Sequence, residues 1–183
     1  MKNVLIISGH PDLKNSVANA TILDNISKIL PNAKIRKLDE LHKNGEFDIK
    51  AEQEAILDAD IMVWQMPFYW YSMPSLMKKW LDEVFLHGFA HGSNAKIGGK
   101  KLIISITTGA PSELYSQNGL MKHSLSELIA PFESLASLCK LELKVPLFLT
   151  GISYINADET ELNRQKEAAK NHANNLANAI KGA

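Results

Sequence analysis

Apolar and polar positions alternate between two periods along this chain. Val4-Leu5-Ile6-Ile7 is a short β-branched run that ends at Ser8-Gly9-His10-Pro11-Asp12, which carries turn chemistry. After it, Val17, Ala20, Leu23, Ile26, Ile29 and Leu30 form a stripe of helical period, with Ser16 as N-cap and Pro31 as stop. Ala33 to Leu38 alternates apolar and basic residues and predicts a half-buried strand, Asp39 to Phe47 predicts a loop, and Ile49 to Asp58 predicts a helix. Ile61 to Trp64 predicts a strand buried on both faces, and Gln65 to Pro74 predicts a turn. The helix beyond the turn carries Leu76, Met77, Trp80, Leu81, Val84 and Phe85 on one face. A glycine-rich loop from His87 precedes a strand at Lys101 to Thr107. Helical spacing returns from Ser124 to Cys139, with Pro131 at a start or a kink. Leu143 to Leu149 predicts a last strand, and Pro146 suggests an edge position. Asp158 and Glu161 resemble a capping box that opens a polar helix to Lys181, read as surface together with His42 and His172.

Strands separated by helices require right-handed crossovers and a parallel sheet covered on both faces. The expected fold is α/β, a flavodoxin-like three-layer sandwich. Its five-stranded parallel sheet has order 2-1-3-4-5, and residues 1–183 form one domain. In such a sheet a ligand sits beyond the carboxyl ends of the strands, so the loops Ser8–Ser16, Gln65–Pro74 and Thr107–Tyr115 are expected to meet.

Their chemistries complement one another. The first offers His10, Ser16 and Asn19 at a helix N-terminus, which suits a phosphate as readily as it suits plain capping by Ser16. Four successive aromatics, Phe68, Tyr69, Trp70 and Tyr71, cannot all enter one core; a planar cofactor and a subunit partner are both open readings. Thr108-Gly109-Ala110 allows close backbone approach to a ligand edge, with Tyr115 either supplying a hydroxyl or packing.

Composition narrows the classes. Twenty Lys and Arg balance 20 Asp and Glu, so no global charge footprint attracts nucleic acid. The single cysteine, Cys139, cannot form an intramolecular disulfide, and no apolar run approaches membrane-spanning length; a cytoplasmic protein is expected. The Ser8–Ser16 loop has neither a Gly-Lys-Ser/Thr ending nor a G-x-G-x-x-G pattern, which argues against an NTPase and a dinucleotide-binding dehydrogenase. No G-x-S-x-G elbow marks a hydrolase. His87 and His91 lie in a glycine-rich loop without an acidic or cysteine partner, so no metal site is expected.

Over nearly its whole length the chain resembles the flavodoxin-like NAD(P)H:quinone oxidoreductases. The likeness extends to the short bacterial members that serve as ancillary subunits of glutathione-gated potassium-efflux systems. It rests on Ala51-Glu52-Gln53-Glu54 with Ala59-Asp60, on Trp64-Gln65-x-Pro67-x-x-Trp70-Tyr71-Ser72-x-Pro74, and on Lys79-Trp80-x-Asp82-x-Val84-Phe85. Gly88-Phe89-Ala90 and Thr107-Thr108-Gly109 continue it. The resemblance implies a non-covalent flavin, FMN in preference to FAD, at the junction of a homodimer. Electrons would pass from NAD(P)H to a quinone in a ping-pong cycle. By the same likeness His10, Ser16, Val17, Ala18 and Asn19 hold the phosphate and ribityl end. Pro67, Phe68, Tyr69, Trp70 and Tyr71 belong to the loop that flanks the ring, and Thr107, Thr108, Gly109 and Ala110 meet its pyrimidine edge. Tyr115 is the catalytic candidate, but Met121 replaces the histidine that accompanies it in relatives, with His123 two positions on. His91 interrupts a G-x-A-Y-G loop, and Ala110 and Pro111 stand where glycine is common. An alternative role is a regulatory flavoprotein that docks on and activates a potassium-efflux membrane protein. An electron-carrier flavodoxin suits the neutral charge poorly.

Overall fold

The computed structural model describes residues 2–183. Strands β1 (Val4–Ser8), β2 (Lys34–Lys37), β3 (Ile61–Pro67), β4 (Lys101–Thr107), β5 (Glu142–Leu143) and β6 (Leu147–Leu149) form one parallel sheet. Its order is β2-β1-β3-β4-β5, with β6 also paired to β4. The expected order therefore holds, and its fifth position is split. Glu142–Leu143 and Leu147–Leu149 pair with opposite ends of β4, and Val145-Pro146 interrupts them because proline has no N–H to donate.

Helices α1 (Val17–Ile29) and α7 (Glu159–Gly182) cover one face of the sheet and pack against each other. The short α2 (Leu38–Leu41) with α3 (Ile49–Asp58), α4 (Ser75–Val84) and α6 (Ala130–Leu138) covers the other, and the single turn α5 (Leu125–Leu128) leads into α6. The three-layer sandwich is thus present. Register explains how the two cores separate. Leu5, Met62 and Leu102 share a row with their side chains toward α4 and α6, as do Ile7, Trp64 and Ile104. Ile6, Val63 and Ile103 face α1 and α7.

Toward α4, Trp64 meets Trp80, Phe85 and Phe132 at centroid separations of 5.8–6.5 Å, edge to face. Glu52, 1% exposed, anchors this layer: it accepts from Trp80 Nε1 at 3.0 Å and pairs with Arg36.

Several expectations need correction. Leu38–Leu41 forms a helical turn that takes the last residue of the expected strand and the start of the stretch read as loop, with the Leu38 side chain completely buried. Strand β3 runs on to Pro67, three residues past Trp64; Gln65 and Met66 are wholly buried, paired to Ser105 and Ile106. Of the start or kink expected at Pro131, the structure has the start. Asp158 caps α7 by accepting from the Glu161 N–H at 2.8 Å, but no reciprocal bond forms, since Glu161 spends its carboxylate on Arg164 and Gln165. A full capping box joins Ser124 and Glu127 instead. Helix α7 is not a surface element. It buries Ala169, His172, Ala173, Leu176, Ala177 and Ile180 on one face, where the alanines admit α1 closely. Among the described residues no helix is long and apolar enough to cross a membrane.

Candidate flavin site at the strand ends

The carboxyl ends of β1, β3 and β4 border a cavity of about 600 Å³. Helix α1 points its N-terminus into it because Ser16 breaks the preceding 3₁₀ turn, Leu13–Asn15, and caps the helix. The Ser16 Oγ accepts from the Asn19 N–H at 3.2 Å and from Asn19 Nδ2 at 3.3 Å, so its own proton is left to donate outward. The N–H groups of Val17 and Ala18, in the first turn, have no intrahelical acceptor. Ordinary capping and a ready anion seat are here the same geometry. No lysine or arginine lines the cavity. Neutral donors and the helix dipole must therefore do the work there.

Below this turn lies a buried polar brace. Asn19 Nδ2 donates to Thr107 Oγ1 at 3.0 Å, and Gln65 Nε2 donates to Asn19 Oδ1 at 2.9 Å. These bonds tie α1 to the ends of β3 and β4. They also commit the Asn19 side chain to the scaffold, so it positions the floor instead of reaching for a ligand. One row deeper, Ser105 Oγ shares a 2.7 Å hydrogen bond with His172 of α7. Burial pushes the His172 ring down to about 4, so it is neutral; the expectation of a surface histidine is overturned.

His10 lines the cavity with its chemistry already fixed. The Asp12 N–H donates to Nδ1 at 3.1 Å. Burial lowers the ring's pKa against the opposing pull of Asp12 and Asp39. A neutral ring that accepts at Nδ1 carries its proton at Nε2, a fourth neutral donor. Tyr69 stands edge-on to His10 at 6.3 Å. Burial, then Tyr154 and Asp12, raise its pKa and keep the hydroxyl protonated.

The aromatic loop divides. Pro67, Phe68 and Tyr69 line the cavity, whereas Trp70 and Tyr71 do not. The last two are the central residues of a tight turn closed by the Ser72 N–H to the Tyr69 carbonyl at 3.0 Å. Both are left-handed, with φ of 49° and 63°, which is costly for residues with a Cβ. Trp70 is 92% exposed. The Tyr71 hydroxyl reaches Met121 Sδ at 3.1 Å, so the residue that replaces the expected histidine contacts this turn.

Thr107, Thr108 and Gly109 line the cavity, and Ala110 does not. The Thr108 N–H is already given to the Leu149 carbonyl at 2.9 Å. It cannot serve the pyrimidine edge as expected; the Gly109 N–H is the backbone donor left at the cavity. Tyr115 is half-buried after a 3₁₀ turn and lies outside the lining. Sequence reasoning missed the remaining wall: Asp12, Asn15, Ile152 to Ile155, and Gln165. Asp12 and Asn15 lie in the Ser8–Ser16 loop already expected there, and an extension of the strand-end rule to the loop after β6 would have pointed to the others. Among the described residues no group of three metal-ligating side chains occurs.

The donor set beside Phe68 and Tyr69 fits a phosphorylated planar ligand. The chain is 41% identical over 159 residues to the glutathione-regulated potassium-efflux system ancillary protein KefF of Enterobacter sp. (strain 638), covering 86% of this chain and 88% of that protein. It superimposes on the general stress protein 14 of Treponema denticola in complex with FMN with a TM-score of 0.85 at 28% identity, covering 98% and 99% of the two chains. An NADPH-quinone reductase from P. pentosaceus gives a TM-score of 0.75 at 26% identity, covering 94% and 98%. The family profile described as flavodoxin-like fold matches residues 2–173, and the chain belongs to that family.

Proposed function

We propose that the protein binds FMN in this cavity and works as an NAD(P)H:quinone oxidoreductase. The observation that carries the proposal is the set of unspent donors at the α1 N-terminus facing a planar aromatic and glycine edge. Ser16 Oγ and the N–H groups of Val17 and Ala18 would receive the phosphate, with His10 Nε2 beside them. Phe68 and Tyr69 would flank the ring, and the Gly109 N–H would stabilise negative charge at its pyrimidine edge. Bound there, FMN would supply two-electron redox chemistry between NAD(P)H and a quinone. Asn19, Gln65 and Thr107 hold the floor at fixed height beneath it. We give Tyr115 no step. FMN is preferred to FAD because the seat at α1 matches a terminal phosphate, and among the described residues no further element stands ready to hold an adenosine.

The strained, exposed turn at Trp70 and Tyr71 supports a homodimer that covers it. The likeness to KefF supports a second role, docking on a potassium-efflux membrane protein from the cytoplasm. Reconstitution with FMN, then anaerobic addition of NADPH followed by a quinone, tests the enzyme reading. The proposal expects the visible flavin absorbance to bleach with NADPH and return with quinone. A protein that takes up no flavin, or holds one that NADPH leaves unbleached, would refute it. Co-purification with the membrane partner tests the second role separately.

A further inference from the structure

Gln165 stands on the second turn of α7, 1% exposed, in the cavity wall that no motif announces. Its Nε2 donates to the Ser153 carbonyl at 2.7 Å and to Glu161 Oε1 at 2.8 Å. Glu161 is gripped from the other side by Arg164, whose Nη2 donates at 2.6 Å and whose Nε donates at 2.7 Å. Those bonds, Arg164 first and Gln165 second, push the Glu161 carboxyl down to about 2, so it is ionised and only accepts. A carbonyl and a carboxylate offer no hydrogen. The Gln165 amide therefore has a single orientation, with both hydrogens spent on the wall. Its Oε1 is left over, and no donor among the described residues reaches it.

The cavity wall thus carries free groups of two kinds. At the α1 N-terminus the Ser16 hydroxyl and the Val17 and Ala18 N–H groups are free to donate, which suits an anion. At Gln165 the free group is a rigid acceptor, which repels phosphate oxygens and suits a hydroxyl. A phosphorylated polyol chain carries both features, and in FMN the ribityl hydroxyls lie between phosphate and ring.

We propose that Gln165 is a ligand-binding residue whose Oε1 accepts a hydrogen bond from a ribityl hydroxyl of bound FMN. The clamp Glu161–Arg164 presets that acceptor before the ligand arrives. This inference rests on the FMN reading of the cavity and adds a contact from α7, an element that reading did not use.

The test compares FMN with its hydroxyl-free analogue, 7,8-dimethyl-10-(5-phosphopentyl)isoalloxazine, on wild type and Gln165→Met. Binding is read from quenching of flavin fluorescence. The expected loss of FMN affinity in Gln165→Met is about tenfold, equivalent to about 1.4 kcal/mol, with the analogue changed less than about twofold. Equal weakening of both ligands would mean that Gln165 only props the wall, and no weakening of either would mean that its oxygen meets no ligand; each overturns the inference. A wild type that binds neither ligand overturns the FMN reading itself, which separates the two failures. A second measurement needs no variant. In wild-type protein labelled with ¹³C, the Gln165 side-chain carbonyl resonance should shift with FMN and stay in place with the analogue. The same shift with both ligands would overturn the inference.

Discussion

Acid should loosen the protein through one buried ring. His172 is 5% exposed between α7 and the sheet, hydrogen-bonded to Ser105. Burial lowers its pKa from 6.5 to about 4. The folded value lies below the unfolded one, so the unfolded chain takes up the proton first as pH falls. The contribution to stability is complete above the unfolded pKa, declines as pH falls toward the folded one, and is level below it. The gap of about 2.5 pH units, at 1.36 kcal/mol each, amounts to about 3 kcal/mol. That is a large share of the total stability of a domain this size. Urea unfolding of wild type and His172→Gln from about pH 7.5 to about pH 4 measures it. Glutamine keeps a polar partner for Ser105 and does not titrate, and the carboxylates common to both proteins cancel in the difference. Wild type should lose about 3 kcal/mol more than the variant over that range. Parallel loss in the two proteins would show that His172 is solvated or already charged, and would refute the sealed contact between α7 and β4.

Glu52→Ala leaves the buried Trp80 N–H and the Arg36 guanidinium without their acceptor. It should cost about 3 kcal/mol in urea unfolding, and an unchanged midpoint would show that the pair is exposed to water. Replacing Trp70 and Tyr71 by Asn and Gly puts the preferred residues into a turn with two positive φ angles. It should stabilise the flavin-free protein by about 1–2 kcal/mol, read as a Tm a few degrees higher; a lower Tm would mean that contacts of the two aromatics outweigh the strain. Tyr115→Phe should leave the rate of flavin reduction by NADPH within about twofold, and a loss of about tenfold or more would bring that hydroxyl into the site.

The sheet was legible because its strands are short apolar runs between helical stripes, and the order of such units dictates crossovers on both faces. Ile49–Asp58 and Lys101–Thr107 appear with the bounds the pattern predicts. The α1 start was legible because a serine before an apolar stripe has few other uses. Helix α7 was misread for a physical reason. Its buried face is built mostly from alanines with Gln165 and His172, and Leu176 and Ile180 alone give too weak a stripe, so only proximity to α1 makes that face a core. The turn at Trp70 and Tyr71 was equally hidden, since neither residue favours a positive φ. Thr108 looked like a free donor because the pairing of β6 beside β4, which consumes its N–H, depends on where Pro146 breaks the last strand.

On the proposed reading the first turn of α1 seats the phosphate of FMN while Gly109 faces the ring. A crystal structure of the FMN complex measures this directly. Phosphate oxygens are expected about 3 Å from the Val17 and Ala18 nitrogens. A phosphate bound away from α1, or a flavin seated outside the cavity between the β1, β3 and β4 loops, would contradict it.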